Sequence, residues 1–246
     1  MITQYQFSLQ AQEPLPSFWA YRLYASILEL IPDEDAEFLH QQGEKPLSHF
    51  LQYNKNDEAS IWTINLLSEE MDNIFAPVLD HLSQIELDTG LVQITRSKKE
   101  SISGPEKLLS CSKENPSSDR YHKLFFKTPT AFKQSGRYTI FPTVPLLLQS
   151  MVNKWNQAFP QLILEDEEAL HMLESGLFLT DYSLRSCRYP LKNVKIPGFV
   201  GSITMESRLS PPMLELWKLL LAIAPYSGIG IKTTLGMGGT ETGIPF

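Results

Sequence analysis

The chain has 246 residues, 42% of them hydrophobic, which is enough to bury one large core or two small ones. Its net charge of −7 weighs against a surface that is basic throughout, and its two cysteines, Cys111 and Cys187, exclude a disulfide framework or a cysteine-held zinc site. No apolar run approaches the roughly 18 residues needed to span a bilayer, and MITQYQFSLQ at the start lacks a signal peptide's basic region and apolar core, so a cytoplasmic protein without membrane contact is expected.

Tyr5, Phe7 and Leu9 alternate with Gln4, Gln6 and Ser8, the pattern of a half-buried strand, and Pro16 introduces a helical stretch, SFWAYRLYASILEL. A short acidic helix is expected near Asp33 to Gln42, then strands at Leu47–Tyr53 and Ile61–Ser68. Met71, Ile74, Phe75, Val78, Leu79 and Leu82 have helical spacing, and Leu91 to Thr95 supplies a last strand. This order is β-α-β-β-α-β, a ferredoxin-like unit. Ser97 to Asp119 is polar, carries Gly104, Pro105 and Pro116, and reads as an excursion leading into a linker.

The same pattern then repeats. Leu124–Lys127 is a strand, Val144–Phe159 a helix, Glu165–Glu174 an additional acidic helix, and Phe178–Arg185 and Phe199–Glu206 two strands. Ser210 is placed to cap a helix started by Pro211 and Pro212, and a glycine-rich loop leads into a final strand. The expected fold class is α+β, two tandem ferredoxin-like domains covering residues 1–119, with the linker, and 120–246.

The loop, within APYSGIGIKTTLGMGGTETG, places Gly228, Gly230, Gly236 and Gly238 around Lys232. Glycines at this density allow positive φ and a close approach of backbone to an anion. The nucleotide-binding loop G-x-x-x-x-G-K-[ST] is excluded, because Ile231 precedes the lysine and the loop follows a helix instead of opening one. Base is also clustered in this half: Arg120, Lys123, Lys127, Lys133, Arg137 and Lys154 run without an intervening acid, and Arg185, Arg188, Lys192 and Lys195 form a second group. A positive face for RNA is therefore compatible with an acidic chain.

The loop's G-x-G-x-x-x-x-x-G-x-G pattern resembles the C-terminal signature of the CRISPR-associated repeat-processing endoribonucleases. LFFKTPTAFKQSGRY (124–138), KIPGFVGSITM (195–205) and LHQQGEKPLSHF (39–50) resemble blocks of the same family, in its order. The resemblance implies cleavage of precursor CRISPR RNA within its repeats, without a metal or other cofactor, by attack of the substrate's own 2′-hydroxyl. It implies a catalytic histidine after the first long helix followed by a lysine, which here are His40 and Lys45, with Tyr24 or Tyr21 assisting. His40 also ends a helix, where the dipole favours its protonated form. His49 is the alternative histidine.

Gly228, Gly230, Lys232, Gly236 and Gly238 would hold the RNA backbone, aided by Lys127, Lys133, Arg137, Arg185 and Arg188. A multi-subunit CRISPR interference complex would receive the product. Two other readings remain open: a non-catalytic RNA-binding subunit of such a complex with the same fold, and an interaction module with no RNA role.

Overall fold

The computed structural model describes residues 1–41, 43, 45–54, 59–88, 90–113 and 120–243; of His40, Gln41, Leu109 and residues 111–113 it describes the backbone alone. Alternation along β1 (Ile2–Gln10) sends Tyr5, Phe7 and Leu9 into a buried core and turns Gln4, Gln6 and Ser8 to the opposite side. A 3-10 turn (Ser17–Trp19) leads into α1 (Ala20–Leu28), followed by α2 (Asp33–Gln41), β2 (Leu47–Asn54), β3 (Ala59–Leu66), α3 (Glu69–Leu79), β4 (Gln84–Leu87) and β5 (Gly90–Ile102). The sheet order is β2-β3-β1-β5-β4 with every neighbouring pair antiparallel. Leu23 and Ile27 of α1 and Met71, Ile74 and Phe75 of α3 share one core with Phe7, Trp62 and Ile64. The Ser68 hydroxyl starts α3 by accepting from the Met71 amide at 3.2 Å.

The second half comprises α4 (Pro105–Lys113), β6 (Tyr121–Thr130), a small hairpin of β7 (Phe132–Gln134) and β8 (Arg137–Thr139), α5 (Val144–Ala158), α6 (Glu167–Gly176), a long hairpin of β9 (Leu177–Leu191) and β10 (Val194–Ser207), α7 (Pro211–Ser227) and β11 (Thr240–Thr242). Its sheet runs β11-β6-β10-β9. The first strand of each unit thus lies between the third and the last, and the chain is a tandem of two ferredoxin-like folds. Each sheet carries its own helices on one face, and the barer opposite face of the first sheet buries Ile2, Ser48 and Phe50 against the second unit.

Two local expectations change. The stretch expected to be an excursion and linker is partly structured: β5 continues to Ile102, and α4 follows, with Leu108 buried in the second core against α7. The polar part of β5 is tied to the first unit through Lys99, which binds both oxygens of Asp80 at 2.8 and 2.9 Å and sits 4.9 Å from the Tyr5 ring centroid, while Tyr5 donates to Asp80 at 2.9 Å. Ser210 occupies the position before α7, yet its side chain makes no capping bond and the prolines carry the start. The two cores also interlock, since Ile2 and Leu67 of the first unit are buried in the second.

Candidate nucleic-acid interface and catalytic segment

The glycine loop is the joint of the molecule. Its amides are tied to the end of β6: Gly238 donates to the Pro129 carbonyl at 3.0 Å, Ile231 to that of Ala131 at 2.9 Å, and Gly239 to the Thr128 hydroxyl at 2.9 Å. Gly230 donates to Ser150 on α5 at 2.7 Å. From the first unit, Ser48 donates to the Tyr226 carbonyl and His49 reaches the Thr234 carbonyl at 2.9 Å, while Tyr189 of β9 donates to the Leu235 carbonyl.

The loop's glycines are required by contact as well as conformation, as two of them show. Gly236 has φ +92, and a Cβ there would stand 2.5 Å from both the Ala20 methyl and the Tyr189 oxygen. Gly230 has φ +88, and its Cβ would meet the Ala131 carbonyl oxygen at 2.4 Å. The space freed by these glycines is therefore filled by protein. Lys232, half-exposed at the tip with φ +57 and ψ +35, is the loop's cation.

His49 shows why the joint is rigid. It is fully buried, Trp62 donates to its Nδ1 at 3.3 Å, and so Nε2 carries the proton that goes to Thr234. Burial pushes its pKa from 6.5 down to about 4, with the Thr234 bond opposing. Tyr24 stacks on the imidazole at 5.0 Å and leans on Phe75 at 6.1 Å, and burial raises its pKa to about 12. Tyr21 packs beside Tyr189 and Leu235 and accepts from Arg22 at 3.3 Å.

The other expected catalytic positions lie elsewhere. His40 falls near the end of α2, and its side chain lies outside the described residues. Lys45 is 6% exposed; its ammonium donates to the Phe38 carbonyl at 3.4 Å and lies 5.7 Å from that ring's centroid. Burial lowers its pKa, while the charge of Glu70 works in the other direction.

The bare faces of the two sheets form the walls of a cleft of about 1460 Å³. Gln4, Gln6, Arg96 and Lys98 line it from the first sheet, Lys127 and Glu241 from the second. Lys98 pairs with Glu100 at 2.6 Å and Lys127 with Glu241 at 2.9 Å. Exposed pairs of this kind contribute about 0–1 kcal/mol, so a phosphate can replace the carboxylate at little cost. Arg96 and Lys98 were hidden in sequence by the polar character of their strand, although their spacing of two was the available signal.

The expected basic residues do not form one patch. Lys133 is exposed beside Gly230 in a small recess with Ser150 and Lys154, and Arg137 is exposed on β8. Arg185 and Arg188 pair with Val200 and Pro197 in an unbroken register, so they point to opposite faces of β9. Arg185 shares the bare face with Lys127; Arg188 does not.

Comparison with known proteins gives one consistent answer. The family model of the CRISPR-associated endoribonuclease Cas6 matches residues 124–240, from β6 through the glycine loop. A Streptococcus thermophilus protein named CRISPR-associated endoribonuclease Cas6 is 28% identical over 225 residues, 90% of each chain. Among solved structures, two Cas6 product complexes each cover 98% of this chain and 99% of their own, with TM-scores of 0.80 and 0.76 at 24% and 25% identity.

Proposed function

The chain matches the Cas6 family in sequence and in fold, and on that footing we propose that it cuts precursor CRISPR RNA within the repeats to release guide RNAs. The observation that carries this reading, beside the family match, is the cleft: two bare sheet faces with cations on both walls make a continuous groove for a single strand.

The chemistry we assign is internal transfer. The 2′-hydroxyl next to the scissile phosphate loses its proton and attacks phosphorus, the bond to the 5′-oxygen breaks, and that oxygen takes up a proton. The ends are a 5′-hydroxyl and a 2′,3′-cyclic phosphate or its 3′-phosphate product, and no metal ion is required. His40 is the proton-transfer group, because an imidazole exchanges protons more readily near neutrality than any other side chain. Lys45 stabilises the charge on phosphorus once its ammonium leaves the Phe38 carbonyl, a long and weak bond at 3.4 Å. With its pKa raised to about 12, Tyr24 contributes as a hydrogen-bond donor and as a support for the joint, not as a base.

Lys232 and the loop backbone contact phosphates, with Lys127, Lys133, Arg137, Arg185 and Arg188 extending the contact along separate surfaces. The guide RNA then passes to a multi-subunit interference complex in the cytoplasm. No helix among the described residues is long and apolar enough to cross a membrane.

A repeat RNA carrying a single 2′-deoxynucleotide 5′ of the scissile phosphate tests the mechanism, in excess chelator. Unmodified RNA is expected to be cut at one bond per repeat, while the modified RNA is bound and left intact. Cutting of the modified RNA at that bond would show that water attacks directly. The burial of Lys45 favours a second reading, a non-catalytic RNA-binding subunit, and an RNA bound but never cut would select it.

A further inference from the structure

Across the bare face of the second sheet, Tyr121 of β6, Glu206 of β10 and Phe178 of β9 stand side by side, because Glu206 pairs with both neighbours in register. Glu206 is 5% exposed, and it holds two arginines by their edges. Arg120 donates to Oε1 from Nε and Nη2 at 3.0 and 2.8 Å; Arg208 donates from Nε to Oε1 at 3.2 Å and from Nη2 to Oε2 at 3.1 Å. Each guanidinium also lies over a ring, Arg120 5.5 Å from the centroid of Tyr121 and Arg208 4.9 Å from that of Phe178. One row further in, the Lys123 ammonium stands 5.1 Å from the Phe125 ring centroid. Lys127, on the same face of β6, then enters the cleft.

We propose that this row is a base-stacking platform, a second RNA subsite that takes the unpaired strand as it leaves the cleft along β6. Glu206 takes the Nε and Nη2 donors of each guanidinium and so fixes both planes, whereas the arginine side chains remain 64% and 62% exposed, so each plane is held in place and presented to solvent. A plane fixed over an aromatic ring offers its outer face to a base, and this stacking is tolerant of sequence. Charge favours an anionic partner, since three cations, Arg120, Lys123 and Arg208, outnumber the neighbouring carboxylates Glu206 and Asp181, and the geometry favours RNA, since each cation overlies a ring instead of flanking an apolar groove. Tyr121 to Lys127 spans on the order of 20 Å of strand, room for several unstacked nucleotides. The proposal rests on the RNA-cleaving function assigned above and adds a place for the strand beyond the cut.

The test uses the full chain with two fluorescent probes, the repeat RNA and a single-stranded oligoadenylate. Tyr121→Ser with Phe178→Ser removes both rings and no charge; Arg120→Lys with Arg208→Lys keeps the charge and removes both planes. Either pair of changes is expected to weaken oligoadenylate binding by about tenfold or more with an unchanged salt slope, as loss of stacking and not of phosphate contacts requires. At saturating repeat RNA the single-turnover cleavage rate should stay within about twofold of the parent, which also shows that the variants are folded. Unchanged oligoadenylate affinity in the ring variant, or full retention by the lysine variant, would overturn the platform. A parent chain that neither binds nor cuts repeat RNA would instead remove the functional reading beneath it.

Discussion

The glycine loop and the segment from α2 to β2 both attract attention in sequence, and the structure treats them in opposite ways. The loop is bound to β6, α5, β2 and β9 by backbone and side-chain bonds, and its glycines are packed against protein. Among the described residues of the other segment, Leu39 is buried in the first core with Phe38 packed against it, Lys45 donates to the Phe38 carbonyl at 3.4 Å, and the Lys45 and Pro46 carbonyls accept from Leu47 and Leu67 at 2.8 Å. The glycine loop that carries the family pattern is thus architecture, and the proposed chemistry belongs to the segment from α2 to β2.

The sharpest way to break this contrast is a pair of histidine variants. His40→Ala should slow single-turnover cleavage by roughly 10²- to 10⁴-fold with RNA affinity and thermal stability almost unchanged. His49→Ala should do the reverse, lowering the unfolding midpoint because Trp62 and Thr234 lose their buried partner. An inactive but fully stable His49 variant, beside an active His40 variant, would exchange the two assignments.

Gly236→Ala addresses the loop directly. With φ +92 and the Ala20 methyl and Tyr189 oxygen each 2.5 Å from the added carbon, the cost should be about 3 kcal/mol, read from urea unfolding. A shift below about 0.5 kcal/mol would mean that the glycine is present for a ligand and not for the joint.

Part of this contrast was legible in sequence. The alternation of Tyr5, Phe7 and Leu9 and the spacing of Met71, Ile74 and Phe75 gave strands and helices correctly because those residues do face one core. β4, α4 and the β7–β8 hairpin escaped because they are short or polar, and the outer part of β5 escaped because a Lys99–Asp80–Tyr5 network holds it instead of apolar burial. The glycines were recognisable as special backbone, but their reasons, Ala20 and Tyr189 for Gly236, lie far away along the chain. Arg185 and Arg188 looked like one cluster, and strand parity separates them.

A smaller effect is expected from pH. A histidine whose folded pKa is about 4 against an ordinary 6.5 stays neutral while the unfolded chain takes up a proton. Its contribution is complete above pH 6.5, declines as pH falls from 6.5 toward 4, and is lost below that, by up to about 3 kcal/mol. Unfolding free energies measured at pH 7 and pH 5 should therefore differ in the wild type, and the difference should shrink in His49→Asn. An equal difference in both would place the acid sensitivity of the fold outside the joint.

The smallest predicted effect separates the loop's architecture from its contact with RNA. In Lys232→Ala the left-handed backbone is strained to the same degree as before, and the carbonyl that accepts from Leu235 and Met237 is untouched, so the joint should keep its stability. What disappears is one ammonium at the tip. If it meets a phosphate, binding weakens modestly and the log–log dependence of affinity on salt becomes shallower by roughly 0.7, the share of one contact with a single strand. A filter-binding titration at several salt concentrations reads both quantities. An unchanged slope with unchanged affinity would leave the loop as a joint alone and move the phosphate contacts to Arg96, Lys98 and Lys127 in the cleft.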